Sequence, residues 1–258
     1  MEKVIQRMKE KVPSSAIEQG GSEEIECEEC NDFMGFIIKN AEGYEFWHDC
    51  ECVERKRTER IMKNSAITKE FAKLGFQNFD TTDKDSQIKD MYQCAMSYLK
   101  EFKDIREDRG NSIALLGQSG AGKTHILMAV SNNLMRKNVS VLYFPYVEGF
   151  SDLKDDFQKL EAKIHRMKKV DVLFVDDLFK PVKGTPRATE WQLEQMYSVI
   201  NHRYLNHMPV LISSELIIDD MFELDEALAS RIYEMCKKFI VVVKGDRKKL
   251  NHRLRGLS

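Results

Sequence analysis

The feature of the sequence that most constrains the fold is a glycine-rich segment, Gly117-Gln118-Ser119-Gly120-Ala121-Gly122-Lys123-Thr124. It fits the pattern G-x-x-x-x-G-K-[ST], in which a glycine-rich turn joins a strand to a helix. The apolar run 112–116 comes directly before it and is typical of a buried strand. Apolar residues within 125–136 follow at helical spacing. The sequence therefore predicts a strand, a phosphate-binding loop and a helix, in that order.

The residue types of this loop suit the binding of a nucleoside triphosphate. Glycines let backbone N–H groups turn inward around a phosphate, and the N-terminus of the helix adds a partial positive charge. Lys123 is expected to reach the β- and γ-phosphates, and the Thr124 hydroxyl is expected to be a ligand of Mg²⁺. We therefore predict that all eight residues of the loop contact ATP. A chance glycine turn before a helix is the alternative.

A second motif lies further along the chain, where the four apolar residues 172–175 are followed by Asp176 and Asp177. A strand of an open α/β sheet delivers such carboxylates to its C-terminal edge, where ligands bind. Asp176 is expected to hold Mg²⁺, directly or through water, and Asp177 to polarise an attacking water as general base. Two acids after a strand can also be a plain turn, but the P-loop upstream favours the nucleotide site.

The alternation of apolar segments predicts the fold class. In chain order, the predicted elements are a helix at 87–102, a strand at 112–116, a helix at 125–136, a strand at 140–144, a helix at 147–167, a strand at 170–175, a helix at 191–205, and strands at 209–215 and 239–243. This order indicates an α/β fold, with a parallel sheet covered by helices on both faces. We predict two domains, a zinc-binding region at 1–70 and an ATPase domain at 71–258.

Four of the six cysteines fall in two tight pairs, Cys27 with Cys30 and Cys50 with Cys52, separated by nineteen residues. The C-x-x-C spacing is common in zinc sites, where both thiolates meet one metal ion. Apolar segments between the pairs, around Glu42-Gly43, predict a small hairpin. The four cysteines are therefore predicted zinc ligands in a structural site, with His48 as a possible replacement for one of them.

Composition and charge exclude several other classes. The formal net charge is −2, so any contact with nucleic acid depends on local basic patches. No apolar run is long enough for a transmembrane helix, and 1–11 lacks the apolar centre of a signal peptide. A cytoplasmic protein without membrane contact is expected. A weak amphipathic helix is predicted at 1–12, a linker at 19–22, and a charged helix at 54–63 that is either a solvated linker or a nucleic-acid contact.

The chain resembles the AAA+ ATPases of the bacterial replicative helicase-loader family, in the versions carried by phages and prophages of Gram-positive bacteria. The resemblance covers most of the chain, and a cysteine knuckle before the ATPase also occurs in that family. It implies an ATPase that is weak alone and stimulated by its partner or by DNA, a hexameric replicative DNA helicase and single-stranded DNA as partners, and self-association through the ATP site. The segments that carry it are 117–124, 172–180, 211–215 and 225–235.

The resemblance also implies roles for residues that spacing alone does not single out. Ser214 and Glu215 follow the fourth strand at the sensor-1 position, where Glu215 departs from the asparagine of many relatives. Arg231 matches the arginine finger that completes the ATP site of a neighbouring subunit. Arg253 matches the sensor-2 arginine, with Arg247 as the alternative, although the helical lid of larger relatives is reduced or absent. Without the resemblance, Arg231 is expected in a salt bridge on a helix surface.

Two other functions remain open from the sequence. A transposition-helper ATPase shares the ATPase core, but such proteins commonly lack a four-cysteine knuckle. A nucleotide-binding adaptor that recruits a partner and turns over little ATP is the second alternative, because Glu215 replaces the usual residue and the lid is reduced. Either alternative keeps the predicted ATP and Mg²⁺ site, whereas the predicted Zn²⁺ site favours the loader.

Overall fold

The computed structural model describes residues 26–40, 42–82, 84–153 and 156–254, without the side chain of Arg247. The helix predicted at 1–12 and the linker predicted at 19–22 lie outside the described residues. Contacts divide the chain between Glu59 and Arg60. The two units are therefore described separately, and the domain boundary near residue 70 stays a prediction.

The first unit is built on an antiparallel hairpin, as the sequence predicts around Glu42-Gly43. Strand β1 (Gly35–Lys39) pairs with β2 (Glu45–Asp49), so that Ile37 lies opposite Trp47. Helix α1 (Cys52–Asn64) follows directly and contains the division between the units. One cysteine pair precedes β1 and the other follows β2, so both lie at the open end of the hairpin, and all four cysteines are buried. Because residues 26–59 contribute few apolar core residues, the sulfur cluster forms most of the interior of this described part.

The second unit alternates strands and helices. Its elements are α2 (Ser86–Ile105), β3 (Ile113–Gly117), α3 (Lys123–Arg136), β4 (Val141–Pro145), α4 (Tyr146–Ser151), α5 (Phe157–Lys169), β5 (Val172–Asp176), β6 (Pro181–Val182), β7 (Thr185–Pro186), α6 (Glu190–Leu205), β8 (Val210–Ser214), α7 (Ile218–Leu224), α8 (Glu226–Cys236), β9 (Ile240–Val243) and α9 (Arg247–Leu250). Short 3₁₀ helices lie at Phe71–Lys73, Phe76–Asn78 and His252–Leu254.

The core of this unit is a five-stranded parallel sheet with the strand order β4-β5-β8-β3-β9. Alternate residues of each strand enter two separate apolar clusters. Leu115 and Phe174 pack with α2 and α3 on one face. Leu116 and Val175 pack with α5, α6 and α8 on the other face. The predicted fold class, a parallel sheet with helices on both faces, is therefore confirmed.

Two predicted helices differ from the observed ones in their bounds. The helix predicted at 147–167 is two helices, because Asp156 caps α5 by accepting a hydrogen bond from the backbone N–H of Lys159 at 3.0 Å. The helix predicted from residue 125 begins at Lys123, because the chain leaves its left-handed conformation at Gly122 (φ 96°). In the described ranges, no helix is both long and apolar enough to cross a bilayer.

The strand order decides which loops meet at the C-terminal edge of the sheet. Strand β3 ends in the P-loop, β5 ends at Asp176, and β8 ends at Ser214. Because β8 lies between β3 and β5, it brings its polar end between the glycine loop and the two aspartates. The segments at this edge therefore lie side by side, although long stretches of sequence separate them.

Candidate functional site

The P-loop is anchored where β3 meets β9. Gly117 has φ 96°, and a Cβ atom there would collide with the carbonyl oxygen of Val243. The backbone N–H of the next residue, Gln118, donates to that same carbonyl at 2.8 Å. Glycine is therefore required at the first position of the motif both by conformation and by close approach to the neighbouring strand.

Lys123, the motif lysine, is buried beneath the loop. Its Nζ donates to the carbonyl oxygens of Gly117 at 2.7 Å and Gln118 at 2.8 Å. Burial lowers the pKa of Lys123 to about 8, although the negative charges of Asp177 and Glu215 oppose that shift. The ammonium group therefore lies under the loop that the sequence assigns to the phosphates.

Thr124 and Asp176 meet as the two predicted Mg²⁺ ligands. The Thr124 hydroxyl donates to Oδ1 of Asp176 at 2.8 Å, and the Ser213 hydroxyl also donates to Oδ1. Oδ2 of Asp176 accepts a hydrogen bond from the Tyr143 hydroxyl at 3.0 Å. Burial raises the pKa of Asp176, although the hydrogen bonds from these three hydroxyls act to lower it. The hydroxyl and carboxylate oxygens lie close enough to bind one Mg²⁺, which takes oxygen ligands of this kind.

Asp177 follows Asp176 and has a left-handed backbone conformation (φ 54°). Its backbone N–H donates to the Ser213 hydroxyl at 2.8 Å. Its carboxylate Oδ2 contacts the ammonium group of Lys180, which also lies 3.9 Å from Glu215 Oε1. The predicted general base and Glu215 therefore share one cation, Lys180, that the sequence analysis did not select.

The two serines at the end of β8 have different contacts. Ser213 contacts Asp176 and Asp177, as described above. The hydroxyl of Ser214, the residue chosen from the sequence, is fully buried and donates to the Leu178 carbonyl at 2.6 Å. In a strand, successive side chains point to opposite faces. That alternation predicts that only one serine of the pair faces Asp176, and the pairing of β8 with β5 makes it Ser213.

Aromatic and C-terminal residues flank the P-loop on both sides. Phe79 packs against Gly122, where a Cβ atom would lie 2.6 Å from the Phe79 ring. Its ring also meets the ring of His125 edge-on, with centroids 5.1 Å apart. On the other side, the backbone N–H of His252 donates to the Gly120 carbonyl at 3.1 Å, beside Asn251. Sequence reasoning missed Phe79, Asn251 and His252 because they lie far from the motif in the chain.

The two predicted arginines lie outside this cluster. The Arg253 side chain is exposed, and within the described residues its guanidinium has no hydrogen-bond or ion-pair partner. Arg231 lies on α8, where Nε donates to Asn201 Oδ1 at 2.8 Å and a second nitrogen donates to the Ala227 carbonyl at 2.7 Å. Its guanidinium also stacks over the Tyr197 ring at 5.1 Å. These contacts are not the salt bridge that is expected without the resemblance.

The four paired cysteines come together in the first unit. Their sulfur atoms all lie within 4.8 Å of one another. Cys27 Sγ is 3.8 Å from Cys50 Sγ, and Cys30 Sγ is 3.4 Å from Cys52 Sγ. A tetrahedral Zn²⁺ with bonds of about 2.3 Å separates its sulfur ligands by about 3.8 Å, so the cluster fits such an ion. His48 is exposed and packs against Phe36 instead of joining the sulfurs.

The surface of the first unit is both apolar and acidic. Trp47 and Ile37 face each other across the hairpin and are 54% and 61% exposed. Residues 26–59 carry ten acidic and four basic side chains. Lys56, one of these four, is held by Asp32 at 2.8 Å and by Glu26 at 3.1 Å. An exposed apolar face with this charge is typical of a protein-binding surface and unfavourable for nucleic acid.

Comparison with known proteins places this geometry in a family. The model of the family described as "IstB-like ATP binding protein" matches residues 40–256. The phage-like element PBSX protein XkdC of Bacillus subtilis (strain 168) is 53% identical over 233 residues, which cover 90% of this chain and 87% of XkdC. The replicative helicase loader DnaI of the same strain is 26% identical over 208 residues, which cover 76% of this chain and 64% of DnaI.

A solved structure supports the same fold. The crystal structure of DnaI matches with a TM-score of 0.57 at 22% identity, covering 71% of this chain and 94% of that one. At this identity the likeness concerns the fold alone. The family match, by contrast, spans the P-loop, both aspartates and the end of β8. The chain therefore belongs to the family of IstB-like ATP-binding proteins.

Proposed function

We propose that this chain is an ATP-dependent loader, which delivers a hexameric replicative DNA helicase onto single-stranded DNA when replication starts. The observation that carries the proposal is the meeting of Thr124 and Asp176 beneath the P-loop, in a chain similar to the helicase loader DnaI. ATP binding lets subunits associate on the helicase, and hydrolysis acts as the release switch. The protein acts in the cytoplasm, where its DNA and helicase partners are.

ATP is held in this proposal by the loop and by the groups beneath it. The backbone N–H groups of 117–124 surround the phosphates, and the Lys123 ammonium exchanges its carbonyl partners for phosphate oxygens. Thr124 and Asp176 hold Mg²⁺, which offsets the negative charge of the β- and γ-phosphates when bound. Phe79, which packs on Gly122, offers an aromatic surface to the base.

Hydrolysis needs a base for the attacking water and a cation for the charge on the transferred phosphoryl group. Asp177 accepts the proton of the water as the oxygen attacks the γ-phosphorus, and the bond to the β-phosphate oxygen breaks. Arg231 of a neighbouring subunit stabilises the charge that develops. Glu215 and Arg253 keep their proposed roles as sensor residues near the γ-phosphate. Ser213, whose hydroxyl contacts Asp176, replaces Ser214 in this role, because the Ser214 hydroxyl is bound to the Leu178 carbonyl.

The cysteine cluster supports a structural Zn²⁺ site. The thiolates of Cys27, Cys30, Cys50 and Cys52 would complete the four-ligand coordination of the ion and leave no open position for catalysis. The metal would tie the two ends of the hairpin together in a unit that has too few apolar residues for a core of its own. We therefore assign this unit to docking, not to chemistry.

The exposed hairpin face is the proposed docking surface for the helicase. Its centre is the cross-strand pair Ile37 and Trp47, whose burial against a partner would remove apolar surface from water. The acidic charge around the pair favours a partner surface with a basic rim. Single-stranded DNA is assigned to the second unit, which carries 32 basic and 27 acidic side chains over residues 60–258.

A pull-down against the host's replicative helicase tests the proposal. The purified full-length chain should retain the helicase with ATP, and Lys123→Ala should lose this dependence on nucleotide. Trp47→Ala should weaken retention, whereas Phe157→Ala, which removes an aromatic side chain that is 81% exposed on α5, should not. Equal losses in both variants would show that the hairpin is not the docking surface.

Two results would favour the other functions. If no nucleotide state binds the helicase, the loader proposal is wrong, and a transposase becomes the next bait for a transposition helper. If the helicase binds but ATP turnover is absent with and without single-stranded DNA, the chain acts as a nucleotide-binding adaptor. Turnover that rises with the helicase or with DNA supports the loader.

A further inference from the structure

Lys180 lies between two carboxylates that end neighbouring strands. Its Nζ contacts Oδ2 of Asp177 and lies 3.9 Å from Oε1 of Glu215. Asp177 follows β5 and Glu215 follows β8, and these two strands pair side by side. Lys180 therefore connects the ends of two strands at the edge of the sheet where the P-loop lies.

The turn that carries Lys180 has a fixed geometry. The backbone N–H of Lys180 donates to the Asp177 carbonyl at 3.0 Å, and Phe179 between them is left-handed (φ 54°). The Phe179 ring is buried and meets the Tyr146 ring edge-on at 5.4 Å. Leu178 donates its backbone N–H to the Ser213 carbonyl at 2.9 Å. Because both sides of the turn are anchored, the backbone of Lys180 has a defined position beside Asp177.

An ion pair on a protein surface contributes little to stability, and Lys180 is partly exposed. Stability is therefore a weak explanation for this contact. Charge balance is a stronger one, because three carboxylates, those of Asp176, Asp177 and Glu215, end neighbouring strands. Like charges at short distance oppose one another's ionisation. Lys123 donates to loop carbonyls, whereas Lys180 directly contacts Asp177.

We propose that Lys180 is a positioning residue for ATP hydrolysis, because it holds Asp177 by Oδ2 and offsets the charge of Glu215. With Oδ2 engaged, Oδ1 is the oxygen that accepts the hydrogen bond from the attacking water. The inference rests on the proposed role of Asp177 as general base. It assigns no contact with ATP to Lys180 itself, so its loss should change turnover and leave nucleotide binding intact.

Two substitutions separate this role from a structural one. Lys180→Met keeps an unbranched side chain that is one atom shorter and removes its charge. It should lower kcat about tenfold while KM for ATP changes less than about twofold. Lys180→Arg keeps the charge and should restore kcat to within about threefold of wild type. An unchanged kcat in Lys180→Met would overturn the inference, and so would an increase in KM for ATP as large as the decrease in kcat.

Coupling to Glu215 provides a second measurement. If Lys180 offsets the charges of two carboxylates, removing one of these charges should recover part of the turnover that Lys180→Met loses. Glu215→Gln should therefore raise kcat about threefold in the Lys180→Met background, although it should not raise kcat in the wild-type background. Additive effects of the two substitutions would show that Lys180 does not serve Glu215, and would overturn that half of the proposal.

The ion pair itself can be tested without turnover. Burial opposes ionisation of Lys180, but its hydrogen bond to Asp177 and the charge of Glu215 raise its pKa. Titration of ¹³C-dimethylated lysines by NMR should show a lower pKa for Lys180 in Asp177→Asn than in wild type. No difference would overturn the inference. If the wild-type chain shows no ATP turnover with helicase and DNA, the proposed function fails, and the positioning role falls with it.

Discussion

The Tyr143 hydroxyl donates a hydrogen bond to Oδ2 of Asp176 at 3.0 Å, across the pairing of β4 with β5. Oδ1 of the same carboxylate accepts from Thr124 and Ser213. Three hydroxyl groups from three different elements therefore surround one buried carboxylate. This arrangement fixes both carboxylate oxygens of Asp176, the residue that we assign to Mg²⁺. Of the three donors, Tyr143 is the one that lies on β4, a strand at the edge of the sheet.

Tyr143→Phe should destabilise the protein by about 1.5–2 kcal/mol at pH 7, because it removes a hydrogen bond to an ionised carboxylate. Burial raises the pKa of Asp176, so this loss should shrink as the pH falls through that raised value and the carboxylate becomes neutral. Urea denaturation at a series of pH values measures the effect.

Tyr146→Phe is the matched control for this measurement. The Tyr146 hydroxyl donates to the neutral carbonyl of Arg187 at 2.8 Å, so its loss should cost about 1 kcal/mol at every pH. If the two variants show the same dependence on pH, the bond from Tyr143 does not depend on the charge of Asp176.

Arg203→Lys should destabilise the second unit by about 3–5 kcal/mol. Arg203 is fully buried, and its two terminal nitrogens donate to four backbone carbonyls, those of Met167, Val170, Asp171 and Pro209, at 2.7–3.0 Å. A lysine ammonium lacks the planar fork that reaches all four. Chemical denaturation should detect the loss, and Arg109→Lys, on an exposed arginine, should change stability by less than about 1 kcal/mol.

The affinity for ATP should fall as the pH rises above about 8. Burial lowers the pKa of Lys123 to about 8, so the free protein loses this positive charge at higher pH. The phosphates of ATP favour the charged form of Lys123, so ATP binding at the higher pH must include uptake of a proton by this lysine. Titration with a fluorescent ATP analogue at pH 7 and pH 9 measures the difference. Lys123→Arg, which stays charged, should bind with little change between the two values.

The purified chain should contain one zinc ion, and Cys50→Ser should lose it. Cys50 is buried within the sulfur cluster, and three remaining thiolates leave a weaker site. Cys94→Ser removes a cysteine of α2 outside the cluster and should keep the metal. Elemental analysis of the two variants after dialysis decides the matter, and equal zinc content in both would contradict the site.

Arg231→Ala should abolish ATP turnover and keep ATP affinity, because the arginine is assigned to the site of a neighbouring subunit. A mixture of Arg231→Ala with Lys123→Ala should recover part of the turnover, since each variant supplies what the other lacks at one interface. If the mixture stays inactive while both variants still bind the helicase, Arg231 acts within its own chain. Its contacts with Asn201 and Tyr197 would then explain the loss.

Local patterns in the sequence were sufficient to predict the sheet and the centre of the site. The P-loop, the aspartates after β5 and the cysteine pairs each combine diagnostic residues within a few positions. Thr124 and Asp176 meet as expected, because the C-terminal ends of parallel strands share one edge of the sheet. The hairpin between the cysteine pairs follows from its turn residues in the same way.

Contacts between distant segments could not be predicted from these patterns. Ser213 and Ser214 are both small polar residues, and only the pairing of β8 with its neighbours decides which one meets Asp176. Phe79 and His252 approach the P-loop through tertiary packing that no local periodicity encodes. No local pattern singles out Lys180, because its partner Glu215 follows a different strand, β8.

The strand order also has a consequence during synthesis on the ribosome. Strand β3 pairs with β8 and β9, and both follow it late in the chain. About ninety residues must be translated after Gly117 before β8 is available, which takes roughly 5–20 seconds at bacterial rates. For that time the apolar strand that carries the P-loop has neither of its edge partners. Among the elements that pack on β3 in the folded chain, α2 is already made at that stage.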